Sequence, residues 1–164
     1  AARIHLYHQT ADYHGRGQAG RFVLDLIREA HLTLVDAGIR ETNTLIGSGG
    51  ITAAEHVPKA IICGLDAVAL DTPILAAMQA RFDGECTSRL ESMFMLPANL
   101  TVEWGVQRLV NMMSAWRDQL LEILGAMGLR EVRRLRGEIG RAMFQVDLER
   151  DAFAEIEGFM ERLS

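Results

Sequence analysis

The 164 residues predict an α/β fold, with short apolar strands alternating with helices, on three observations. The stretch TLIGSGGITAAEHVPKAIICGLDAVALDTPILA, Thr44 to Ala76, reads as strand, glycine turn, helix, strand, turn and helix. Near the N-terminus, Ile4, Leu6 and His8 alternate with His5, Tyr7 and Gln9, the two-residue period of a strand. Between these lies an amphipathic run, and a long one follows, so each strand has a crossover helix to lay against a parallel sheet.

The elements follow in order. After the first strand, TADYHGRGQAG lacks periodicity and carries glycines, as a loop at a sheet's C-terminal edge should. From Arg21 to Ala37, Phe22, Leu26, Ala30, Leu34 and Ala37 recur three or four apart, and Gly38 stops that helix. Thr44, Leu45 and Ile46 form the second strand. Ser48, Gly49 and Gly50 then leave backbone N–H groups open to a ligand. Thr52 with Glu55 three residues on predicts a capping box, so that a helix points its positive end back at the turn. Pro58 falls inside that helix and is expected to bend or tighten its first turns. Ala67 to Leu70 reads as the third strand. Thr72 and Pro73 open another helix, with a capping hydroxyl followed by proline at the first helical position.

Two helix starts facing one spot match a (β/α)8 arrangement, in which loops after strands 7 and 8 and a short extra helix hold a phosphate. The predicted fold is therefore the C-terminal part of a TIM barrel, strands 6 to 8, followed by C-terminal helices. Residues 1–100 form the barrel part and 101–164 a helical extension packed on it. A whole barrel needs roughly 250 residues. The chain opens on Ala1 and enters a strand at once, so a larger polypeptide is expected to supply the N-terminal remainder as its partner.

Beyond the barrel part, ARFDGECTSRLESMFMLPANL loses periodicity and reads as a connection. A long helix runs from Thr101 to about Met127, with Val102, Val106, Leu109, Val110, Met113, Trp116, Leu120 and Leu124 along one stripe that needs a partner surface. Leu129 to Leu135 reads as a short basic helix, and Asp147 caps a last helix carrying Leu148, Phe153, Ile156, Met160 and Leu163.

Composition narrows the function. A net charge of -5 leaves no general footprint for nucleic acid or anionic membrane. No apolar run approaches the roughly 20 residues of a membrane span. Cys63 and Cys86 stand alone, which supports neither a disulfide framework nor a metal cage, and a cytoplasmic setting is the expectation. His5 and His8 fall on opposite faces of a strand, and His31 and His56 on separate helices, so they make no metal site. His14 and Arg16 sit in the loop at the mouth, where solvated residues or substrate-facing groups both fit. Arg130, Arg133, Arg134, Arg136 and Arg141 form a basic cluster, read as a solvated face paired with carboxylates such as Glu131 and Glu138, or as a docking surface.

The GSGGI turn, the helix EHVPKAIICG and the strand LDAVALDTPIL resemble the FMN-phosphate segment of the glutamate synthase FMN-binding domain. AHLTLVDAGIR before them and QLLEILGAMGLREVRRLRGE after them follow that family in order and spacing. The resemblance covers about His5 to Phe144. It implies an FMN-dependent flavoprotein, an oxidoreductase of glutamate biosynthesis from 2-oxoglutarate and ammonia, with other glutamate-synthase-like subunits or domains as partners. It also implies that backbone groups at Gly49, Gly50 and Thr72 hold the FMN phosphate, with the Ser48 hydroxyl as an added donor. Asp71 is discordant at that site, because a carboxylate beside a dianion must point away, be paired, or signal that no phosphate binds. The family's three-iron cluster uses cysteines spaced C-x5-C-x4-C; after Cys86 this chain has Ser92 and Pro97, so no iron–sulfur cluster is expected here. No residue presents itself as nucleophile or general base. Two other readings stand beside this one: a non-catalytic, degenerate barrel segment acting as a binding or assembly module, and another phosphate-binding barrel enzyme.

Overall fold

The structure, a computed structural model, describes residues 5–12, 14–83 and 93–137. Strand β1 (His5–Thr10) is followed by helix α1 (Val23–Asp36), strand β2 (Asn43–Ser48), helix α2 (His56–Cys63), strand β3 (Ala67–Ala69) and helix α3 (Thr72–Ala77). The three strands form one parallel sheet in the order β1-β2-β3. His5 to Thr10 pair with Asn43 to Ser48, and Ile46 to Ser48 with Ala67 to Ala69, so all three strands end at one edge. The alternation of strand and helix is thus the expected one, realised as a mixed α/β unit with three parallel strands.

Parallel pairing sorts the side chains by face. Tyr7, Leu45 and Val68 belong to the face on which α1 and α2 pack. There Leu45, 2% exposed, meets Ile27, Ala60, Cys63 and Leu65 in the main core. Burying a side chain such as Ile27 stabilises the fold by roughly 1.5–3 kcal/mol. The other face carries Leu6, His8 and Thr10, all exposed, beside half-buried Thr44 and Ile46.

Helix ends are set by specific groups. Gly38, at φ 68°, takes the left-handed turn that stops α1 one residue past its Ala37 cap. The Thr52–Glu55 capping box does not form: α2 begins at His56, and the His56 ring Nδ1 accepts the Thr52 and Ala53 amides at 3.1 and 3.4 Å. An imidazole thereby replaces the predicted hydroxyl cap. This later start places Pro58 third in the helix, where its missing N–H would have had no intrahelical partner, so the expected bend has no cause. At α3 the cap is Asp71 and not Thr72. Asp71 Oδ1 accepts the Thr72 N–H at 2.6 Å and the Thr72 hydroxyl at 3.2 Å, and proline falls one place further in.

The predicted irregular connection contains a two-stranded antiparallel pair, β4 (Arg81–Asp83) with β5 (Met93–Met95). Helix α4 (Val102–Ala126) starts at a Thr101 cap whose hydroxyl oxygen accepts the Trp104 amide at 3.3 Å. In its C-terminal half, Leu124 joins Ile61, Ile62 and Leu135, with Leu120, Met127 and Val132 around them. In its N-terminal half, Val102, Val106, Val110 and Met113 of the predicted stripe are exposed. Among the described residues, one flank there is held, by Arg108 Nε donating to Ala77 O at 3.1 Å and by Gly105 against Met78. Residues 129–135 form a single 3-10 turn, Val132–Leu135, in place of the predicted basic helix. No helix among the described residues is long and apolar enough to cross a membrane.

Candidate functional site

The candidate site begins where β2 ends. Ser48 is 2% exposed, and its hydroxyl lies 2.9 Å from His8 Nε2. Gly49 and Gly50 then turn through φ of 88° and 68°. The turn is pressed against the loop after β1, whose Ala11 amide donates to Ser48 O at 2.9 Å. A Cβ on Gly49 would stand 2.0 Å from Ala11 O, and one on Gly50 2.6 Å from Gly15 Cα. Glycine is therefore required twice over, by the backbone angle and by the close approach of a second chain segment. Among the described residues, the Gly49, Gly50 and Ile51 amides meet no backbone acceptor.

A cleft of about 290 Å3 opens at the turn, lined by Gly47 to Thr52 together with residues of α1 and α2. Phe22, Val23, Ile27, Ile51 and Ala60 give it an apolar wall, and His14, His56 and Lys59 supply its polar side. Because His56 Nδ1 accepts two amides, its ring proton sits on Nε2, leaving that nitrogen a donor. No carboxylate lines this cleft.

The parallel register brings Ser48 beside Ala69, so the glycine turn and the start of α3 leave the same sheet edge from neighbouring strands. Asp71 and Thr72 lie outside the cleft lining, with the Thr72 donors both turned onto Asp71. In the loop after β1, Asp12 Oδ1 accepts the His14 and Arg16 amides at 2.9 and 2.7 Å, while the Arg16 guanidinium reaches Gly20 O at 3.3 Å. His14 faces the cleft, and Arg16 is used within its own loop. Cys63 is core packing, as expected. Burial pushes its thiol up to about 11. Pro97 is described; Cys86, Ser92, Arg141, Glu138 and the last predicted helix lie outside the described residues.

At the opposite end of the sheet is a charge network that the sequence did not point to. Arg40 is only 4% exposed, yet all its directions are used: Nε donates to His31 Nδ1 at 3.0 Å, Nη1 to Asn43 O at 2.8 Å, and Nη2 to Gly64 O and Asp66 Oδ2 at 2.7 and 2.8 Å. Asp66 also accepts the Leu45 amide at 2.8 Å and Arg136 Nη1 at 2.5 Å. Arg136 and Arg133 both meet Glu41. Of the arginine cluster, Arg136 thus turns inward and is neither a solvated face nor a docking group, whereas Arg133 and Arg134 make exposed pairs with Glu41 and Glu131. Burial tends to raise the Asp66 carboxyl, but the Leu45 amide, Arg136 and Arg40 outweigh it and hold it below the usual carboxylate range. Burial, then the charges of Arg40 and Arg136, push His31 down.

Residues 10–130 match the family described as a conserved region in glutamate synthase. The chain belongs to the glutamate synthase family. Among curated relatives, it is 35% identical over 118 residues to an archaeal glutamate synthase [NADPH] of Methanocaldococcus jannaschii, covering 66% of this chain and 22% of that protein. It is 34% identical over 110 residues to the corresponding proteins of Archaeoglobus fulgidus and Thermotoga neapolitana, covering 63% of this chain and 22% of each. The chain therefore spans about a fifth of the length of these glutamate synthases and corresponds to a portion of a larger glutamate-synthase-like protein. Its fold is similar to that of a mutant flavocytochrome b2 with pyruvate bound, at a TM-score of 0.52 and 19% identity, over 79% of this chain and 27% of that one.

Proposed function

We propose that this chain is the phosphate-holding end of an FMN-binding (β/α)8 domain in a glutamate-synthase-like oxidoreductase. In this reading β1, β2 and β3 are barrel strands 6 to 8, residues 1–100 belong to the barrel, and residues 101–164 extend it. The N-terminal remainder of the barrel is the partner that covers the exposed face of β1 and carries the substrate-facing groups. The observation that carries the proposal is the register that sets the Ser48–Gly50 turn and the Asp71–Thr72 corner on adjacent strand ends.

The residues fit a phosphate at the turn. Gly49 and Gly50 present amides without side chains, and a Cβ on either would collide with backbone, so the cradle is rigid as well as open. Ser48 adds a hydroxyl steadied by His8. At the neighbouring corner, Thr72 can turn its donors to the phosphate once the Asp71 carboxylate swings off them. When bound, the flavin supplies the electron transfer that connects 2-oxoglutarate and ammonia to glutamate; these residues anchor and orient it. The reading places the enzyme in the cytoplasm, where Cys63 stays a free thiol.

Purified full-length protein should be yellow, with flavin absorbance that Gly50→Ala removes. A colourless protein that takes up no added FMN favours the second reading, an assembly module, which has its own support in the hold of Asp71 on the Thr72 donors. Uptake of a sugar phosphate in place of FMN points to a different phosphate-binding barrel enzyme.

A further inference from the structure

Amides and a hydroxyl can hold a phosphate without neutralising it. A phosphate monoester carries about −1.5 to −2 charges at neutral pH, while the donors at the turn, the Gly49 and Gly50 amides and the Ser48 hydroxyl, are all neutral. The neighbouring corner adds a carboxylate, Asp71. A counter-charge has to come from a side chain. We propose that Lys59 supplies it, and is the residue of this site that selects a phosphorylated flavin over the unphosphorylated one. The inference rests on the FMN reading and adds to it a side chain from outside the turn.

Helix α2 lays one face against the turn. His56 Nδ1 accepts the Thr52 and Ala53 amides at 3.1 and 3.4 Å, so the first residue of the helix is folded back on the segment just after Gly50. Lys59 follows three residues later and shares that face. It starts about 4.5 Å further along the helix axis, a gap that its four-carbon stem spans. Both side chains line the cleft that Gly47 to Thr52 also line. Among the described residues, Lys59 is the only permanently charged group in that lining, beside the imidazoles of His14 and His56. Its charge is uncommitted: among the described residues no carboxylate lies within ion-pair distance of it, and none lines the cleft. Arg16, in the loop after β1, is absent from the lining and donates to Gly20 O. Phe22, Val23 and Ile27 make much of the remaining wall apolar, which strengthens the attraction between a half-buried ammonium group and an arriving dianion.

The test is titration of the flavin-free full-length protein with FMN and with riboflavin, which lacks the phosphate, followed by flavin fluorescence. The wild-type protein should prefer FMN, and the ratio of the two Kd values reads what the phosphate contributes. Lys59→Met should shrink that ratio at least about tenfold, through weaker FMN binding alone, with riboflavin bound as before. Lys59→Arg should keep the ratio. Lys59→Gln repeats the measurement where methionine disturbs the fold. An unchanged ratio in the methionine and glutamine variants overturns the proposal and leaves the FMN reading standing. So does equal weakening of FMN and riboflavin, which is what a lysine with a packing role would give. A wild-type protein that binds neither flavin, or binds both alike, overturns the FMN-phosphate reading and the proposal with it.

Discussion

Arg136 Nη1 sits 2.5 Å from Asp66 Oδ1, closing the turn after α4 onto the foot of β3. The same carboxylate is what neutralises Arg40, a guanidinium with almost no access to water. Removing Asp66 therefore strands Arg40 and leaves Arg136 with Glu41 alone. Asp66→Ala should cost about 3 kcal/mol, the lower end of the range for breaking a buried pair, because Asp66 keeps some exposure. Denaturant unfolding of the variant measures it, and a change below about 0.5 kcal/mol would show that the network contributes only as a surface pair does.

His31 should make stability depend on pH near neutrality. Its folded-state pKa is depressed, so the unfolded chain binds the proton more readily. Its contribution is complete above the unfolded value of about 6.5 and is lost as pH falls below that toward the folded value. Thermal melts between pH 7 and 5 should show a falling Tm. His31→Gln, which keeps an acceptor for Arg40, should flatten the curve. Asp66 acts lower down: its depressed carboxyl stabilises the fold above about pH 4, and that stabilisation disappears as acid titrates it.

The Cys63 thiol, buried and pushed up to about 11, should resist alkylation at pH 8 in the native protein and react once the protein is unfolded. Peptide-level mass spectrometry after iodoacetamide treatment separates it from Cys86. Rapid native labelling of Cys63 would mean that the α1–α2 core opens freely.

Gly49→Ala should be among the most damaging small substitutions, because its Cβ meets the Ala11 carbonyl at 2.0 Å in a left-handed backbone. A loss of about 2 kcal/mol or more is expected, together with the loss of flavin that the proposed function predicts. Gly128→Ala, also at positive φ but with open space around it, should cost only about 1 kcal/mol. Equal effects of the two would remove the close approach from the account.

The parallel sheet and its crossovers were legible because they depend on local signals: a two-residue period in β1, apolar spacing in α1, and glycines at the ends of β2 and α2. The helix caps were misplaced by a few residues. Thr52, His56, Asp71 and Thr72 all carry cap-competent groups, and tertiary placement decides which one wins. Three-residue strands such as β4 and β5 are too short to show a period, so their segment read as irregular. The glycine turn was readable as a turn, whereas its contact with Ala11 and Gly15 depends on the path of another loop. Least legible was the Arg40–Asp66–Arg136 network, whose members are 26 and 70 residues apart. Nothing near Arg40 in the sequence marks it as buried.

That separation matters while the protein is being made. The three described strands have all emerged from the ribosome once Ala69 has, but Asp66 at their base is paired with Arg40 alone until Arg136 follows. A nascent chain halted after α4 therefore holds these three strands on an unfinished foundation. The base can therefore be locked only after residue 136 has been synthesised, however early the strands pair.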